Sequence, residues 1–423
     1  MVEVIKKYLF FPVASYFKFF ASIKLRRWHP RVIVVTGSSG KTTLLHFLES
    51  QIGSCAKYSH HANSSFGIPF DILGLHRKSL QRSEWVSLFL KAPFLAFTHF
   101  PKEKIYVVEA DVDRPGEGKF LATLLHPEVA LWVSVGRTHS MNFDPLVSSG
   151  KFKTVDEAIA YEYGYFLKYC TKQVFINGDS ELQLKQANRT EAKITAIKQK
   201  AIEHFALSKN GTTFGIAGKK IVFPYLFPEE VGISLLMCSE TVDYLGLPFD
   251  YDFKSFIMPP GRGSVFVGIR KTTIIDSSYN ANLGSIKAML SMLAQISEKK
   301  KWVVLGDMLE LGKEEKEEHE QLAEVLEKMH VEKIILVGKL VSKYTYPKIV
   351  KNKNVFVEKF IQQKEARDYL LSHLNGGEII LFKGSQSLLL EGIIERLLEN
   401  KKDASKLPRR EEIWEERREK ILS

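Results

Sequence analysis

The sequence predicts an α/β protein with two parallel sheets that follow one another along the chain. Short apolar runs rich in Val and Ile, such as 32–35 and 105–108, alternate with helical stretches, which is typical of parallel strands buried on both faces. Pro259-Pro260-Gly261 breaks the chain between the two groups of strands. A chain of 423 residues is also long enough for two or three domains, each with its own core.

The composition is that of a globular protein with an excess of positive charge. Hydrophobic residues make up 45% and charged residues 26% of the chain, which argues against disorder. The formal net charge of +11 favours a polyanionic partner, namely a nucleotide, a nucleic acid or an anionic lipid surface. Cys55, Cys170 and Cys238 are far apart and form no CxxC pair, so we expect a reducing cytoplasm and neither a zinc ribbon nor disulfides.

The N-terminal segment, 1–30, combines aromatic and basic residues. Pro12 and Lys18 interrupt its apolar run, which is too short to span a bilayer, and no signal-peptide cleavage site follows. Two interpretations fit: a helix lying on the inner face of the membrane, and a helix packed on the protein. Our hypothesis is the membrane contact. It would be made by Leu9, Phe10, Phe11, Phe17, Phe19 and Phe20, with Lys6, Lys7, Lys18, Lys24, Arg26 and Arg27 around them.

A phosphate-binding turn opens the central domain, which we expect at 31–257. The turn lies between the apolar strand 32–35 and a helical stretch. Its small residues let backbone N–H groups approach a phosphate at a helix N-terminus, Lys41 adds a positive charge, and Thr42 offers a hydroxyl to Mg²⁺. Val35 stands where the literal Walker pattern has glycine, so this is a shortened P-loop. The predicted nucleotide-binding residues are Thr36, Gly37, Ser38, Ser39, Gly40, Lys41, Thr42 and Thr43.

Polar residues follow the next strands of this domain, at the end where ligands bind in parallel α/β sheets. Glu109 ends one strand, Asp111 and Asp113 come just beyond it, and His139 follows the next strand. Glu109 and His139 are therefore candidate metal ligands together with Thr42. The alternatives are solvated loop charges for the acids and a structural role for the histidine.

Beyond the Pro-Pro-Gly break we expect a Rossmann-like α/β domain at 258–400. Helical stretches separate its predicted strands, which favours a second parallel sheet. Polar motifs follow three of these strands, and one of the motifs contains Asp276 and Asn280. The predicted strands are 272–275, 302–305, 333–337, 354–357 and 378–382.

Three other stretches offer no candidate catalytic or binding residues. The polar stretch 181–205 has a helical pattern, and 214–224 is typical of short strands. The charged tail, 401–423, has Trp414 as its one large aromatic group, and we expect it to form a solvated helix.

Taken together, these motifs resemble the Mur ligase family, in the same order and over roughly 31–398. The runs 278–282 and 305–312 favour the branch of the family that adds D-alanyl-D-alanine. The matching residues are 36–43, Asn63 with 67–69, Glu109 with 114–117, His139, Asn177, Asp179, Gly261, Arg262, 276–282, 305–312 and 383–385.

The resemblance implies ATP-dependent amide formation through an acyl phosphate, with ATP and Mg²⁺ as cofactors. The implied substrates are a muramoyl-peptide or related acyl group and a short peptide or amino acid, and the implied process is peptidoglycan synthesis. We expect a cytoplasmic monomer. The residue roles that the resemblance implies are Lys41 on the β/γ-phosphates, Thr42 and Glu109 on one Mg²⁺, His139 on a second Mg²⁺, and Arg262, Asp276 and Asn280 at the nucleotide.

Three departures from the family pattern stand out. The family's first domain, which binds the UDP group, has no counterpart among the motifs found. Tyr163 aligns with a lysine that many members carry as a carbamate, and a phenol forms no carbamate, so we expect Glu162 or a water to complete the second metal site. The family's His-Asn motif is not visible around 228–232, which leaves the adenine contacts unassigned.

Two alternatives to this function stay open. One is a Mur-type ligase with a different, lipid-linked or glutamyl, acceptor. The other is an ATP-binding module without catalysis, because a fold alone does not establish an activity. We expect no nucleic-acid partner, since the second sheet has no P-loop of its own and no groove of aromatic and basic residues is evident.

Overall fold

A computed structural model describes residues 2–60, 62–77, 83–208, 210–352, 355–410 and 414, with the side chains of 2–8 and 83 left out. Two six-stranded sheets and one three-stranded sheet organise this part of the chain. The expected α/β architecture is confirmed, with a parallel sheet in the first of the two larger units and a sheet that is parallel except for one edge strand in the second.

The first sheet carries the P-loop at its centre. Its strands are β1 (Arg31–Thr36), β2 (Ala56–Ser59), β3 (Ile105–Ala110), β4 (Val129–Trp132), β5 (Gln173–Asn177) and β6 (Lys193–Ile197). They lie in the order β2-β3-β1-β4-β5-β6, and every pair is parallel. Because β3 and β4 flank β1, the residues that follow these three strands meet at one edge.

Helices cover both faces of this sheet. Val32 and Val34 point into one core and Ile33 and Val35 into the other, as the two-residue period of a strand requires. The helices are α1 (Val2–Trp28), α2 (Lys41–Ile52), α3 (Gly67–Leu73), α4 (Ser83–Leu95), α5 (Glu117–Leu125), α6 (Asp144–Ser148), α7 (Val155–Lys168), α8 (Glu181–Gln186) and α9 (Val231–Tyr244).

The N-terminal helix α1 packs along the first of these cores. Phe17 is fully buried, and its ring centroid lies 4.7 Å from that of Phe70 and 5.0 Å from that of Phe89. Trp28 donates its indole N–H to the carbonyl of Glu103 over 2.7 Å. Of the two sequence interpretations, packing on the protein is what the structure shows. Membrane contact through Phe17 is wrong, because its ring has no exposed surface.

A three-stranded antiparallel sheet follows the first sheet. Its strands are β7 (His204–Ser208), β8 (Gly211–Ile216) and β9 (Lys219–Phe223). The prediction of strands in 214–224 is confirmed, but the helical prediction for 181–205 is wrong beyond α8. Strand β6 lies there, at the edge of the first sheet. Polar residues interrupt its apolar ones and only Ile197 is buried, so the strand does not show as a continuous apolar run.

The second large sheet begins just after the predicted break. Its strands are β10 (Ser264–Gly268), β11 (Thr272–Asp276), β12 (Lys301–Gly306), β13 (Lys333–Val337), β14 (Val357–Phe360) and β15 (Ile379–Lys383). They lie in the order β10-β11-β15-β12-β13-β14, with β10 antiparallel and the others parallel. Four predicted strands are confirmed. The fourth strand begins at Val357, where we predicted 354–357, and residue 354 lies outside the described residues.

Helices again separate these strands. They are α10 (Leu283–Gln295), α11 (Glu315–Glu327), α12 (Tyr346–Ile349), α13 (Gln363–His373) and α14 (Glu391–Leu397). The tail, 401–423, begins with a short 3-10 helix, Lys401–Lys406, that has no buried residue, in line with the predicted solvated helix. That helix ends before Arg409, whose guanidinium forms a buried ion pair with the Glu391 carboxylate over 2.6 Å. Within the tail, 411–413 and 415–423 lie outside the described residues. No described helix is both long and apolar enough to cross a membrane.

Candidate active site

The predicted P-loop has a backbone that only glycine supports at two positions. Gly37 has φ 131°, and a Cβ atom there would lie 2.8 Å from the backbone N and O of Ser134. Gly40 has φ 85° and caps the N-terminus of α2. Both glycines are therefore required by the close passage of the turn over the loop that follows β4.

Hydroxyl groups of the turn tie it to its surroundings. Ser38 donates from Oγ to the carbonyl of Gly136 over 2.8 Å, and Ser39 donates its backbone N–H to Oγ of Ser134 over 2.8 Å. Thr36 donates its hydroxyl to the carbonyl of Ala110 over 2.8 Å. These hydrogen bonds hold the turn in shape from both neighbouring strands. The hydroxyls of Thr36 and Ser38 are engaged in them, so nucleotide contact by these two residues stays a prediction.

Lys41 is buried beneath the turn and paired with an acid. Its Nζ lies 2.8 Å from Oδ2 of Asp111 and donates to the carbonyl of Gly37. Burial by itself would raise the pKa of Asp111, but the Lys41 ammonium, together with His139 and the backbone N–H of Val112, outweighs burial and lowers it. The pair places a cation where the phosphates of a nucleotide would lie.

Thr42 joins the two larger domains. Its Oγ1 donates to Oε2 of Glu109 over 3.0 Å, and Nη2 of Arg262 donates to the same hydroxyl over 3.2 Å. The Arg262 guanidinium also lies 4.2 Å from the centroid of the Tyr279 ring. Sequence prediction selected all three polar residues, and the structure brings them together. A hydroxyl and a carboxylate are the hard oxygen donors that Mg²⁺ prefers, so these residues fit that ion.

His139 lies at the same edge between three carboxylates. Its Nε2 is 3.2 Å from Oδ1 of Asp113, and its Nδ1 contacts the Glu310 carboxylate of the second large domain. Burial would lower the pKa of His139, but Glu310, Asp113 and Asp111 together raise it to about 9. Donor atoms of Asp111, Asp113 and His139 lie within 4.8 Å of one another, a spacing suited to a metal ion once His139 has lost its proton.

Tyr163 fills the position of the expected carbamate. It is fully buried and donates its hydroxyl to Oδ1 of Asp111 over 2.8 Å. Glu162 does not complete a metal site, contrary to our expectation. Its carboxylate instead accepts the backbone N–H of Gly118, at the start of α5, over 3.1 Å. The carboxylates that lie beside His139 are those of Asp111 and Asp113.

The other two predicted residues of the second domain, Asp276 and Asn280, have hydrogen-bond partners within their own loop. The Asp276 carboxylate is completely buried and accepts the backbone N–H of Ser278 over 3.0 Å; burial raises its pKa to about 6. Asn280 is exposed and accepts the N–H of Ala281 through Oδ1. Nucleotide contact by Asp276 and Asn280 stays a prediction.

Sequence reasoning missed residues that connect the domains at this edge. Glu310, the partner of His139, lies in the quoted run 305–312 but received no role. Arg137 forms ion pairs with Asp156 of the central domain over 3.1 Å and with Glu314 of the second over 3.0 Å. Arg137 could have been found from the sequence, because it lies only two residues before the predicted site residue His139.

Known proteins share this architecture. Residues 261–386 match the glutamate ligase domain of the Mur ligases. The chain is 25% identical over 395 residues to UDP-N-acetylmuramoyl-tripeptide--D-alanyl-D-alanine ligase of Bacillus subtilis (strain 168), a match covering 90% of this chain and 78% of that protein. The enzyme of the same name from Escherichia coli (strain K12) is 22% identical over 382 residues, covering 88% and 77%.

The fold is also similar to that of solved structures. The MurF ligase from Thermotoga maritima in complex with ADP has a TM-score of 0.73 and 22% identity, and the match covers 93% of this chain and 84% of that one. The similarity extends over both large sheets, because little of the chain lies outside it.

Proposed function

We propose, for this member of the Mur ligase family, the ATP-dependent addition of D-alanyl-D-alanine to a UDP-N-acetylmuramoyl-tripeptide in peptidoglycan synthesis. One observation carries the proposal. Lys41, Thr42 and Glu109 meet at the carboxyl edge of the first sheet, and Arg262 of the second domain reaches them there. The similarity to ligases of this name, over 90% and 88% of this chain, supports the same conclusion.

The reaction must activate a carboxylate, which is a poor electrophile. The substrate carboxylate attacks the γ-phosphorus of ATP, giving an acyl phosphate and ADP. The amine of the dipeptide then attacks the acyl carbon, phosphate leaves, and the amine proton passes to solvent. Lys41 and the turn's N–H groups balance the phosphate charge, and Arg262 brings the second domain over the nucleotide.

The residues at the edge also suit the metal that this chemistry employs. Mg²⁺, when bound by Thr42 and Glu109, would neutralise phosphate charge. Asp111, Asp113 and His139 would hold a second ion beside it, and Tyr163 would orient Asp111 through its hydrogen bond. This assignment replaces Glu162 in the second metal site.

We further propose that the chain acts as a monomer in the cytoplasm. All three cysteines are free, which suits a reducing compartment. Contact with the inner face of the membrane through α1 is limited to its described exposed apolar residues, Leu9 and Phe19, which are 51% and 57% exposed.

A phosphate-release assay tests the function. Purified protein receives ATP, Mg²⁺, D-alanyl-D-alanine and UDP-N-acetylmuramoyl-tripeptide, and mass spectrometry identifies the product. Phosphate release should require both substrates, and the product should carry the added dipeptide. Parallel reactions with lipid-linked and glutamyl acceptors test the alternative ligases. Absence of any ligated product with every acceptor would leave the non-catalytic module as the better account.

A further inference from the structure

The outward side of α4 and of the turn after it is apolar. Val86, Leu90 and Phe94 recur every fourth residue and are 63%, 74% and 63% exposed. Phe97 and Phe100 continue the row in the following turn, at 51% and 38% exposed. These five residues are called the α4 face. A surface helix normally presents polar side chains to water, so a contiguous apolar row of this kind indicates a contact surface.

Packing within the protein does not require this face. Leu88, Ala92 and Ala96 are buried on the opposite side of α4, and Phe89 lies between them. The Phe89 ring centroid is 5.0 Å from that of Phe17, and the carbonyl of Phe89 accepts the hydroxyl of Tyr16 over 2.8 Å. Helix α4 is therefore firmly held on α1 by one apolar side, while its other apolar side faces outward.

Cations surround the aromatic end of the face. The guanidinium of Arg27 lies 5.4 Å from the ring centroid of Phe97 and 5.6 Å from that of Phe100. Lys91, in the middle of α4, and Lys102, just after Phe100, are exposed. Exposed phenyl rings with basic residues beside them are typical of a protein surface that inserts at the boundary of an anionic bilayer.

The charge of this region decides between a bilayer and a second copy of the chain. A twofold contact between two α4 faces would set Arg27 and Lys91 of one copy near the same residues of the other. Residues 4–48, which include all of α1 except its first two residues, contain no acidic residue to compensate them. Like charges across an interface oppose association, whereas anionic headgroups supply the opposite charge.

We propose that the α4 face docks on an anionic lipid bilayer, with Leu90, Phe94 and Phe97 entering the headgroup boundary and Arg27 and Lys91 meeting the phosphates. The helix that contacts the membrane is then α4, while α1 is the support that holds it. This partner goes beyond the proposed reaction and does not depend on which acceptor the enzyme uses.

Vesicle co-sedimentation with the full chain tests the proposal. The protein should sediment with phosphatidylglycerol-containing vesicles, less with pure phosphatidylcholine vesicles, and less as salt rises. The double variant L90Q/F94Q should bind about tenfold or more weakly, since two apolar side chains no longer leave water. The control V222Q/I257Q changes two side chains that are 64% and 73% exposed elsewhere, and it should bind as the wild type does.

A charge variant and two further measurements make the outcome decisive. R27E/K91E reverses the two exposed cations that the proposal places at the phosphates, and it should lower binding to anionic vesicles while leaving the thermal unfolding midpoint unchanged. Phosphate release by L90Q/F94Q should equal that of the wild type, so failure of the ligase assay and failure of this proposal are separate results. Equal vesicle binding by wild type and L90Q/F94Q would overturn the proposal. So would a wild-type dimer in sedimentation velocity that binds no vesicles and that L90Q/F94Q dissociates.

Discussion

Lys41 and Asp111 form a buried ion pair beneath the nucleotide turn, with Nζ and Oδ2 2.8 Å apart. Lys41 opens α2 after β1, and Asp111 follows β3, the neighbour of β1 in the sheet. The carboxylate keeps the lysine in place without a phosphate, so little reorganisation is needed when a nucleotide arrives. Asp111 also accepts the Tyr163 hydroxyl and lies with Asp113 beside His139, so it belongs both to the ion pair and to the candidate metal site.

Removal of the Lys41 charge should abolish most turnover. We expect K41A to lower the rate of phosphate release about 100-fold or more, because a transition-state charge contact is lost. The exposed lysine variant K402A is the matched control and should keep wild-type activity. Near-normal turnover by a folded K41A protein would contradict the P-loop assignment.

Loss of the His139 ring should weaken metal binding at the candidate site formed by Asp111, Asp113 and His139. H139A should need a roughly tenfold higher Mg²⁺ concentration for half-maximal phosphate release, the order expected when a metal's supporting group is removed. H204A removes an exposed histidine and serves as the control. If E310Q reproduces the effects of H139A on kcat and neither variant changes the Mg²⁺ requirement, His139 serves the domain contact and binds no metal.

Tyr163 should make the enzyme indifferent to bicarbonate, because a phenol forms no carbamate. Phosphate release measured with and without added bicarbonate should be equal. Y163F removes the hydroxyl bonded to Asp111 and should reduce activity at low Mg²⁺ more than at saturating Mg²⁺. A rise in activity with bicarbonate, together with a carbamylated lysine in mass spectrometry, would show that another lysine takes this role.

Variants of Phe17 and Phe19, both in α1, distinguish a ring that packs in the core from one that is free to contact a membrane. F17A should lower the free energy of unfolding by about 3–5 kcal/mol, because a fully buried ring leaves a cavity. F19A removes a ring that is 57% exposed and should change it by less than about 0.5 kcal/mol. Urea denaturation of both variants provides the measurement. Equal stability of F17A and F19A would contradict the observed docking of α1.

Lys383 should make stability depend on pH. Burial, and to a lesser extent Arg262, lower the pKa of Lys383 from 10.5 to about 7, while Asp276 opposes the shift. The unfolded state therefore binds more protons than the folded state between these values, so the free energy of unfolding rises with pH in this window. Relative to K383M, the wild type should gain about 1–3 kcal/mol between neutral and mildly alkaline pH.

Denaturation of both proteins along a pH series checks this sign. The exposed control K402M should follow the wild-type curve, since its lysine is solvated in both states. A constant difference between wild type and K383M across the series would mean that Lys383 keeps an ordinary pKa in the fold.

Features that depend on local backbone demands were readable from the sequence. Gly37 and Gly40 occur where φ is positive, and Lys41 and Thr42 follow them in a spacing that only a phosphate turn explains well. Glu109 was found because the carboxyl ends of parallel strands meet at one edge. The sequence likewise predicted the strands that are buried on both faces. The prediction failed at β6, an edge strand of which only Ile197 is buried.

The sequence by itself thus determined the P-loop, the α/β class and the acids that end the strands, because each follows from short-range pattern. Only the tertiary structure decided which groups pair: Asp111 with Lys41, and Glu310 with His139. It also decided that α1 is core and that the outward side of α4 is apolar. These outcomes depend on contacts between residues far apart in the chain, and an aromatic, basic composition is the same whether protein or lipid covers it.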